Sequence, residues 1–114
     1  MDKPLPDDLP LGAHLVTPRW FYRHHGIYAG CGRVIHYAGF KRLFHRGPVE
    51  EVSLEHFSGG KGLRVKVWAA ARFSGAARVE RARSRLGEDR YRLLTNNCRH
   101  FARWCVAGTG PLPN

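Results

Sequence analysis

A cysteine close to the C-terminal end is the residue of this chain best suited to covalent chemistry. Cys98 lies in the stretch LLTNNCRHFARWC, residues 93–105, directly after Asn97, a residue type that often precedes a helix. In the first turn of a helix a thiol meets unpaired backbone N–H groups and the positive end of the helix dipole, which favour the nucleophilic thiolate. The same N–H groups would stabilise an oxyanion during acyl transfer. The alternative is a buried cysteine that only packs, which is common for this residue type.

A cysteine nucleophile also needs a base, and the best candidates among the seven histidines lie on a predicted hairpin. A three-residue turn over residues 29–31 would place His24 directly opposite His36, with their Cβ atoms roughly 4.5–5.5 Å apart on one face. Gly26 would leave open space on that face. One imidazole would accept the thiol proton and the other would orient it, although two ordinary strand histidines would fit the same pattern. His25 is expected on the opposite face.

Two further interpretations of these residues remain open. His24, His36 and Cys98 would also provide three ligands for a tetrahedral zinc ion. The chain lacks the C-x-x-C and H-E-x-x-H spacings, so we expect neither a metal nor another cofactor. His100 would point away from the thiol and pack or hydrogen-bond beside it, and Cys105 is expected in the core.

Strand signals come first along the chain and helix signals last, which predicts an α+β fold. Aromatic and β-branched residues predict strands, and turn glycines between two of them predict a hairpin over residues 20–37. A basic loop is predicted over residues 41–48, and residues 89–94 are expected to be extended. The predicted strands cover residues 13–18, 20–30, 33–39, 49–53 and 63–69.

Three helices are predicted from their capping residues. Ser53 would cap a short helix, Ser74 a helix over residues 75–87, and Asn96, Asn97 or Thr95 a final helix that ends at Gly108. The middle helix has an apolar stripe and a separate basic face that we expect to be solvated. The stripe consists of Val79, Ala82 and Leu86, and the basic face of Arg78, Arg81 and Arg85.

The whole chain has the size and composition of one globular domain, with 114 residues and 43% hydrophobic content. Residues 1–12 are rich in proline and predict a flexible arm, residues 13–108 the domain and residues 109–114 a tail. Three cysteines argue against a disulfide framework, and neither a signal peptide nor a membrane-spanning run is apparent, so a cytoplasmic location is expected. The net charge of +10 makes nucleic acid or an anionic lipid surface plausible partners.

The stretches YRHHGIYAGCGRVIHY (22–37) and YRLLTNNCRHF (91–101) together resemble the lecithin:retinol acyltransferase-like domain family. The hallmarks of that family are a histidine in an H-x-x-I/V-Y-x-G context, a second histidine twelve positions later and an N-C-E-H-F block that opens a helix. His24, His36 and Cys98 occupy these positions, and the resemblance covers about residues 13–108.

The resemblance implies a circularly permuted, papain-like (NlpC-like) fold, in which an antiparallel sheet packs against a helix that carries the cysteine at its N-terminus. It implies a Cys-His-His catalytic triad with Cys98 as nucleophile, His24 as general base and His36 as the residue that orients the base. Members of the family move an acyl group from a glycerophospholipid through a thioester intermediate to an alcohol, an amine or water. The supporting residues at matching positions are Tyr22, Gly26, Asn97, Arg99 and His100.

One departure from the family lies beside the nucleophile. Arg99 replaces the usual glutamate, and its guanidinium would favour the thiolate or steer an anionic substrate. Any membrane contact is expected to be peripheral, drawn by the basic charge. The alternatives are a cysteine amidase or peptidase on the same fold, and a basic binding module with idle catalytic residues. No nucleic-acid signature accompanies the charge, so nucleic acid is not expected as a partner.

Overall fold

The computed structural model describes residues 5–6, 8–19, 22–42, 45–90 and 97–108. Within them, all strands belong to one antiparallel sheet in the order β4-β3-β2-β1-β5. One short helix lies between β4 and β5 and two helices follow the last strand, so the α+β prediction is confirmed. No helix in these ranges is long and apolar enough to cross a membrane. The elements are β1 (His14–Pro18), β2 (Arg23–Gly30), β3 (Arg33–Arg42), β4 (His45–Ser53), α1 (Leu54–Ser58), β5 (Arg64–Lys66), α2 (Gly75–Ser84) and α3 (Cys98–Ala107).

The predicted hairpin is present, but its turn is one residue shorter than expected. Cys31 and Gly32 form a two-residue turn with φ angles of 52° and 71°, as a type I′ turn requires. Tyr28 pairs with Val34, whereas the three-residue turn would have paired Tyr28 with Gly32. A bulge between Tyr28 and Gly30 in β2 shifts the register by one residue between the pairs Tyr28–Val34 and Gly30–Arg33.

The register therefore differs by two residues from the predicted one. Side chains alternate along a strand with a period of two, so a shift of two leaves each side chain on its predicted face. Extending the observed register places His36 opposite Gly26 instead of opposite His24. The two histidines remain on one face, as diagonal neighbours.

The predicted basic loop over residues 41–48 is wrong in the described part of that range. β3 continues to Arg42 and β4 begins at His45, while residues 43–44 lie outside the described ranges. Pro48 lies within β4, which is an edge strand of the described sheet, and edge strands are where sheets tolerate proline. Most of the predicted extended segment 89–94 lies outside the described residues.

Each face of the sheet carries its own core cluster. On one face α2 and α3 cover Ile27, Ile35 and Tyr37, in a cluster that includes Cys98 and Cys105. On the other face α1 contributes Phe57 and Leu54, which pack with Leu15 and Val34. β2 lies between these clusters, so consecutive residues of β2 face different surroundings.

The short helix α1 begins and ends as predicted. Ser53 Oγ accepts a hydrogen bond of 3.0 Å from the backbone N–H of His56, and Gly59 ends the helix with a φ of 59°. These two caps fix the position of Phe57, which is fully buried against β2.

The helix α2 is shorter than predicted, and its apolar stripe loses one member. It ends at Ser84 rather than at residue 87. Val79 and Ala82 are buried as expected, whereas the side chain of Leu86 is 42% exposed because it lies beyond the helix end. The prediction that Leu86 belongs to the stripe is therefore wrong.

Arg78, Arg81 and Arg85 do not form the solvated face that the sequence predicts. The guanidinium of Arg81 lies 3.8 Å from the ring centroid of Trp104 and donates a 3.1 Å hydrogen bond to its carbonyl oxygen. Arg85 lies 5.2 Å from the Phe101 ring, and Arg78 donates to backbone carbonyls. Charge alone predicts solvation, but the aromatic rings of α3 provide cation–π partners for Arg81 and Arg85, which are therefore part of the α2–α3 contact. Arg78 instead binds the carbonyl oxygens of Phe73 and Gly12.

Candidate functional site

The cysteine-bearing helix α3 starts with a reciprocal cap. Asn97 Oδ1 accepts a 3.1 Å hydrogen bond from the backbone N–H of His100, and the Asn97 N–H donates to His100 Nδ1 at 3.4 Å. Cys98 is the first residue of the helix, and Gly108 ends it in the left-handed conformation. The cap fixes the first turn, whose N–H groups surround the thiol. Arg99 is exposed beside it.

The thiol of Cys98 is buried, with 4% of the residue exposed. Burial is the largest influence and raises its pKa above the ordinary value. The backbone N–H groups of His25, Arg99 and Cys98, followed by the charge of Arg19, act in the opposite direction. The prediction of a lowered pKa is therefore wrong, because desolvation of a thiolate outweighs the polar helix terminus. The N–H of His25 also shows that the sulfur lies against the backbone of β2.

Two histidines and a glutamate form a hydrogen-bonded series, which we call the Glu50 relay. His24 Nε2 and His36 Nδ1 are 2.5 Å apart, and His36 Nε2 is 2.9 Å from Glu50 Oε2. A carboxylate only accepts hydrogen bonds, so neutral His36 must donate from Nε2 and accept at Nδ1. His24 must then donate from Nε2. Its other ring nitrogen, Nδ1, consequently carries a lone pair.

That Nδ1 atom of His24 has no hydrogen-bond partner in the described part of the chain, although it is buried. A buried polar atom without a partner is uncommon and costs free energy, so it points to a functional role. Burial, followed by the charge of His36 and then Arg19, holds the pKa of His24 well below its ordinary value of 6.5. The imidazole is neutral at physiological pH and able to accept a proton.

The structure therefore brings the two predicted strand histidines together, and Glu50 adds a carboxylate to their hydrogen-bonded series. Sequence reasoning missed Glu50 because it assigned the residue only to a short strand. In the structure His36 pairs directly with Glu50 across β3 and β4. Once that register is known, the contact follows, since directly opposite side chains share a face.

A second residue that sequence reasoning missed is Arg19, directly after β1. It donates a 2.7 Å hydrogen bond from Nη2 to the carbonyl oxygen of Phe57, and burial lowers its pKa. Its positive charge lowers the pKa of four ionisable groups, so the thiol and both imidazoles lie within the range of this charge. These groups are Cys98, Tyr22, His24 and His36. Arg19 had no motif or spacing that would have marked it.

The expected open space beside Gly26 is filled instead by an aromatic ring. A Cβ atom on Gly26 would lie 2.7 Å from Phe57 Cε1. The Phe57 ring centroid is 5.3 Å from that of His24 and 5.7 Å from that of His36. Gly26 thus allows Phe57 to pack against both imidazoles and to exclude water. Tyr22 approaches His24 from another side, edge-on at 6.4 Å between ring centroids.

The zinc interpretation does not fit this geometry. Both ring nitrogens of His36 are engaged, one by His24 and the other by Glu50. His24 has only Nδ1 left. A metal ion would have to break the hydrogen bonds of the relay to bind both imidazoles. The two histidines therefore do not offer the two free ring nitrogens that the zinc interpretation requires.

A family model described as lecithin retinol acyltransferase matches residues 7–111, nearly the whole chain. A comparison with curated proteins found no match. The matched region includes both histidines of the relay and the cysteine at the start of α3. The chain belongs to the lecithin retinol acyltransferase family.

Proposed function

We propose that this protein is a cysteine-dependent acyltransferase or acyl hydrolase that acts on an acyl ester, with a phospholipid as the preferred donor. Cys98 would be the nucleophile, His24 the general base and His36 the residue that orients it. Family membership supports the acyl-transfer kind of function. The observation that carries the proposal is the unpartnered lone pair on His24 Nδ1, which is held in that tautomer by the Glu50 relay.

In the first step His24 Nδ1 takes the thiol proton while the sulfur attacks the acyl carbonyl carbon. The carbonyl π electrons move to oxygen, where N–H groups near the sulfur, including that of His25, would stabilise the oxyanion. The C–O bond to the alcohol then breaks, and His24 returns the proton to the leaving oxygen. A thioester remains on Cys98.

In the second step an alcohol, an amine or water attacks the thioester. His24 Nδ1 removes the proton of the acceptor, the C–S bond breaks, and the proton returns to the sulfur. The acceptor determines whether the reaction is transfer or hydrolysis. This assignment treats the fold as a permuted papain-like arrangement, in which the cysteine of α3 works with histidines of β2 and β3.

The resting site would hold a neutral thiol and neutral imidazoles rather than an ion pair. The raised pKa of Cys98 and the lowered pKa of His24 both favour the neutral forms. Proton transfer would therefore accompany attack on the carbonyl. Glu50, through His36, would stabilise the imidazolium that forms, and Arg19 would stabilise negative charge near the sulfur.

Intact-mass spectrometry tests the proposal directly. The protein is incubated with vesicles containing a short-chain phosphatidylcholine, quenched in acid and weighed. We expect an added acyl mass at Cys98 that hydroxylamine removes, as a thioester requires. Cys98→Ala should abolish it and His24→Ala should slow it by roughly 100-fold or more, the usual range for a general base.

Two controls separate chemistry from general damage. His56→Ala, an exposed histidine outside the relay, and Cys31→Ala, in the exposed turn, should both retain acylation. Acylation that survives in Cys98→Ala would overturn the assignment of the nucleophile. Acylation only from peptide or amide donors would instead identify an amidase on the same fold. A chain that is never acylated but still binds anionic vesicles would be a binding module.

We also propose that contact with a membrane is peripheral. The net charge of +10 would attract an anionic surface by about 1 kcal/mol for each basic residue that reaches it. Sedimentation with anionic and neutral vesicles tests this, and equal binding to both would contradict it.

A further inference from the structure

A second histidine pair lies on the opposite face of β2 from His24. Trp68 Nε1 donates a 2.9 Å hydrogen bond to His14 Nδ1, and His14 Nε2 is 2.8 Å from His25 Nδ1. The indole of Trp68 is only a donor, so neutral His14 accepts at Nδ1 and donates from Nε2. His25 then accepts at Nδ1 and carries its own proton on Nε2. We call this series the Trp68 relay.

Strand pairing places this relay beside basic residues. Val16 pairs with His25 on one side and with Arg64 on the other, and His14 pairs with Lys66. Directly paired residues project from the same face of a sheet. His25, Arg64 and Lys66 therefore share one face near the β5 edge.

Among the described residues, the charges that act on His25 are all positive. The pKa of His25 is lowered to about 4, first by burial and then, in descending order, by the charges of Lys66, Arg99, Arg64 and Arg23. Strands β1, β2 and β5 contain no aspartate or glutamate. Lys66 Nζ also lies 4.9 Å from the Trp68 ring centroid. Such a cluster of cations, which forms no ion pair with a carboxylate of the described residues, favours an anion beside a neutral donor.

A cleft of about 520 Å³ opens on the same part of the sheet. One wall is fixed because the buried Thr17 Oγ1 donates a 2.6 Å hydrogen bond to the carbonyl oxygen of Gly62. The lining combines three cations with three apolar side chains, which suits a ligand that has an anionic group on a carbon skeleton. These residues are Arg23, Lys61 and Arg64, and Val16, Pro18 and Leu63.

We propose that this cleft binds the phosphate group of an organic phosphate, with Arg23, Lys61 and Arg64 as its ion-pairing residues and the Nε2–H of His25 as a neutral donor at its edge. Guanidinium groups pair with phosphate through two parallel hydrogen bonds, which fits phosphate better than a single ammonium would. The Trp68 relay keeps the His25 proton on Nε2 and so keeps that atom a donor. Cys98 packs on the same face of the sheet as His25 but does not line the cleft, and the Glu50 relay lies on the opposite face, so ligand binding in the cleft does not depend on thioester chemistry.

The test is a titration of inorganic phosphate into the intact protein, followed by calorimetry and by the ring ¹⁵N resonances of His25. We expect saturable binding that shifts the Nε2 resonance. Arg23→Ala/Arg64→Ala should weaken binding by at least about tenfold, since two charge-assisted hydrogen bonds are lost. Arg72→Ala/Arg103→Ala removes the same charge at exposed positions outside the cleft and should change binding by less than about twofold.

Two further variants make the result specific. Trp68→Phe keeps the charge but removes the donor to His14, so it should weaken phosphate binding about threefold and mix the tautomers of His25. Cys98→Ala should bind phosphate as the native protein does, which separates this site from the proposed thiol chemistry. Phosphatidylglycerol vesicles, compared with phosphatidylcholine vesicles, distinguish a lipid-borne phosphate from a free one.

Either source supports the site if the cleft variant loses the binding and the charge-matched control retains it. Equal losses in the two double variants would overturn the proposal, because the interaction would then depend only on net charge. An absence of saturable binding to both phosphate and phosphatidylglycerol would overturn it as well.

Discussion

Replacing Glu50 with glutamine tests the relay by removing one negative charge with almost no change in shape. Adding the hydrogen bonds of 2.5 and 2.9 Å to the width of one imidazole ring places the carboxylate roughly 7–8 Å from His24 Nε2. At an effective dielectric constant of about 20, Coulomb's law gives about 2 kcal/mol for its attraction to a cationic His24. In the proposed mechanism that cation forms only as the thiol is deprotonated, so the acylation rate of Glu50→Gln should fall about 30-fold.

The assay is the rate of acyl-mass gain at Cys98 under single-turnover conditions, measured from pH 5 to pH 9. Glu50 raises the pKa of His36, opposing the stronger lowering by burial. Its removal should therefore shift the acid limb of the rate profile to lower pH as well as lower the plateau. A residue that only held the fold together would reduce stability without moving the profile.

Glu51→Gln is the matched control, since Glu51 is the next residue of β4 and pairs with Arg33 and Arg83 instead of His36. It should leave the rate within about twofold of the native value, because exposed ion pairs contribute little. A native rate and pH profile in Glu50→Gln, or an equal loss of rate in Glu51→Gln, would show that Glu50 does not act on His24 through its charge.

Three other predictions concern stability and can be measured by urea unfolding. Gly26→Ala should lower the free energy of unfolding by about 1–3 kcal/mol, because the new methyl group would overlap Phe57; native stability would contradict that packing. The pKa values of His14 and His25 are about 3 and about 4 in the fold, below the unfolded value, so the unfolded state binds protons first as the pH falls. Acidification from pH 6.5 to 4.5 should therefore lower the free energy of unfolding by about 2–3 kcal/mol for each of these histidines. His14→Phe should reduce this pH dependence. Asn97→Ala should cost about 1 kcal/mol through loss of the helix cap, and an unchanged midpoint would show that the cap is dispensable.

Local patterns predicted the elements that carry the site, but not all of their contacts. Turn glycines and alternating residues indicated the hairpin of β2 and β3, and the side-chain period of two kept His24 and His36 on one face despite the shifted register. Asn97 and Gly108 marked the ends of α3 because capping is a short-range effect.

The remaining features depend on pairing between distant segments. Glu50 joins the relay only because β4 pairs with β3 in one particular register. The sequence predicts that Arg81 and Arg85 are surface charges, whereas in the fold they lie over aromatic rings of α3. The pKa of Cys98 likewise depends on how completely the fold removes water from the thiol, which helix position alone cannot predict.

The neighbouring residues His24 and His25 of β2 have opposite proton roles, because the last group of each relay fixes the tautomer of its histidine. Glu50 can only accept, so His24 presents a lone pair, whereas Trp68 can only donate, so His25 presents a proton. A one-residue slip of β2 would exchange their faces and give each imidazole the wrong tautomer. The alternation of a single strand thus determines that one side of the sheet presents a proton acceptor and the other a proton donor.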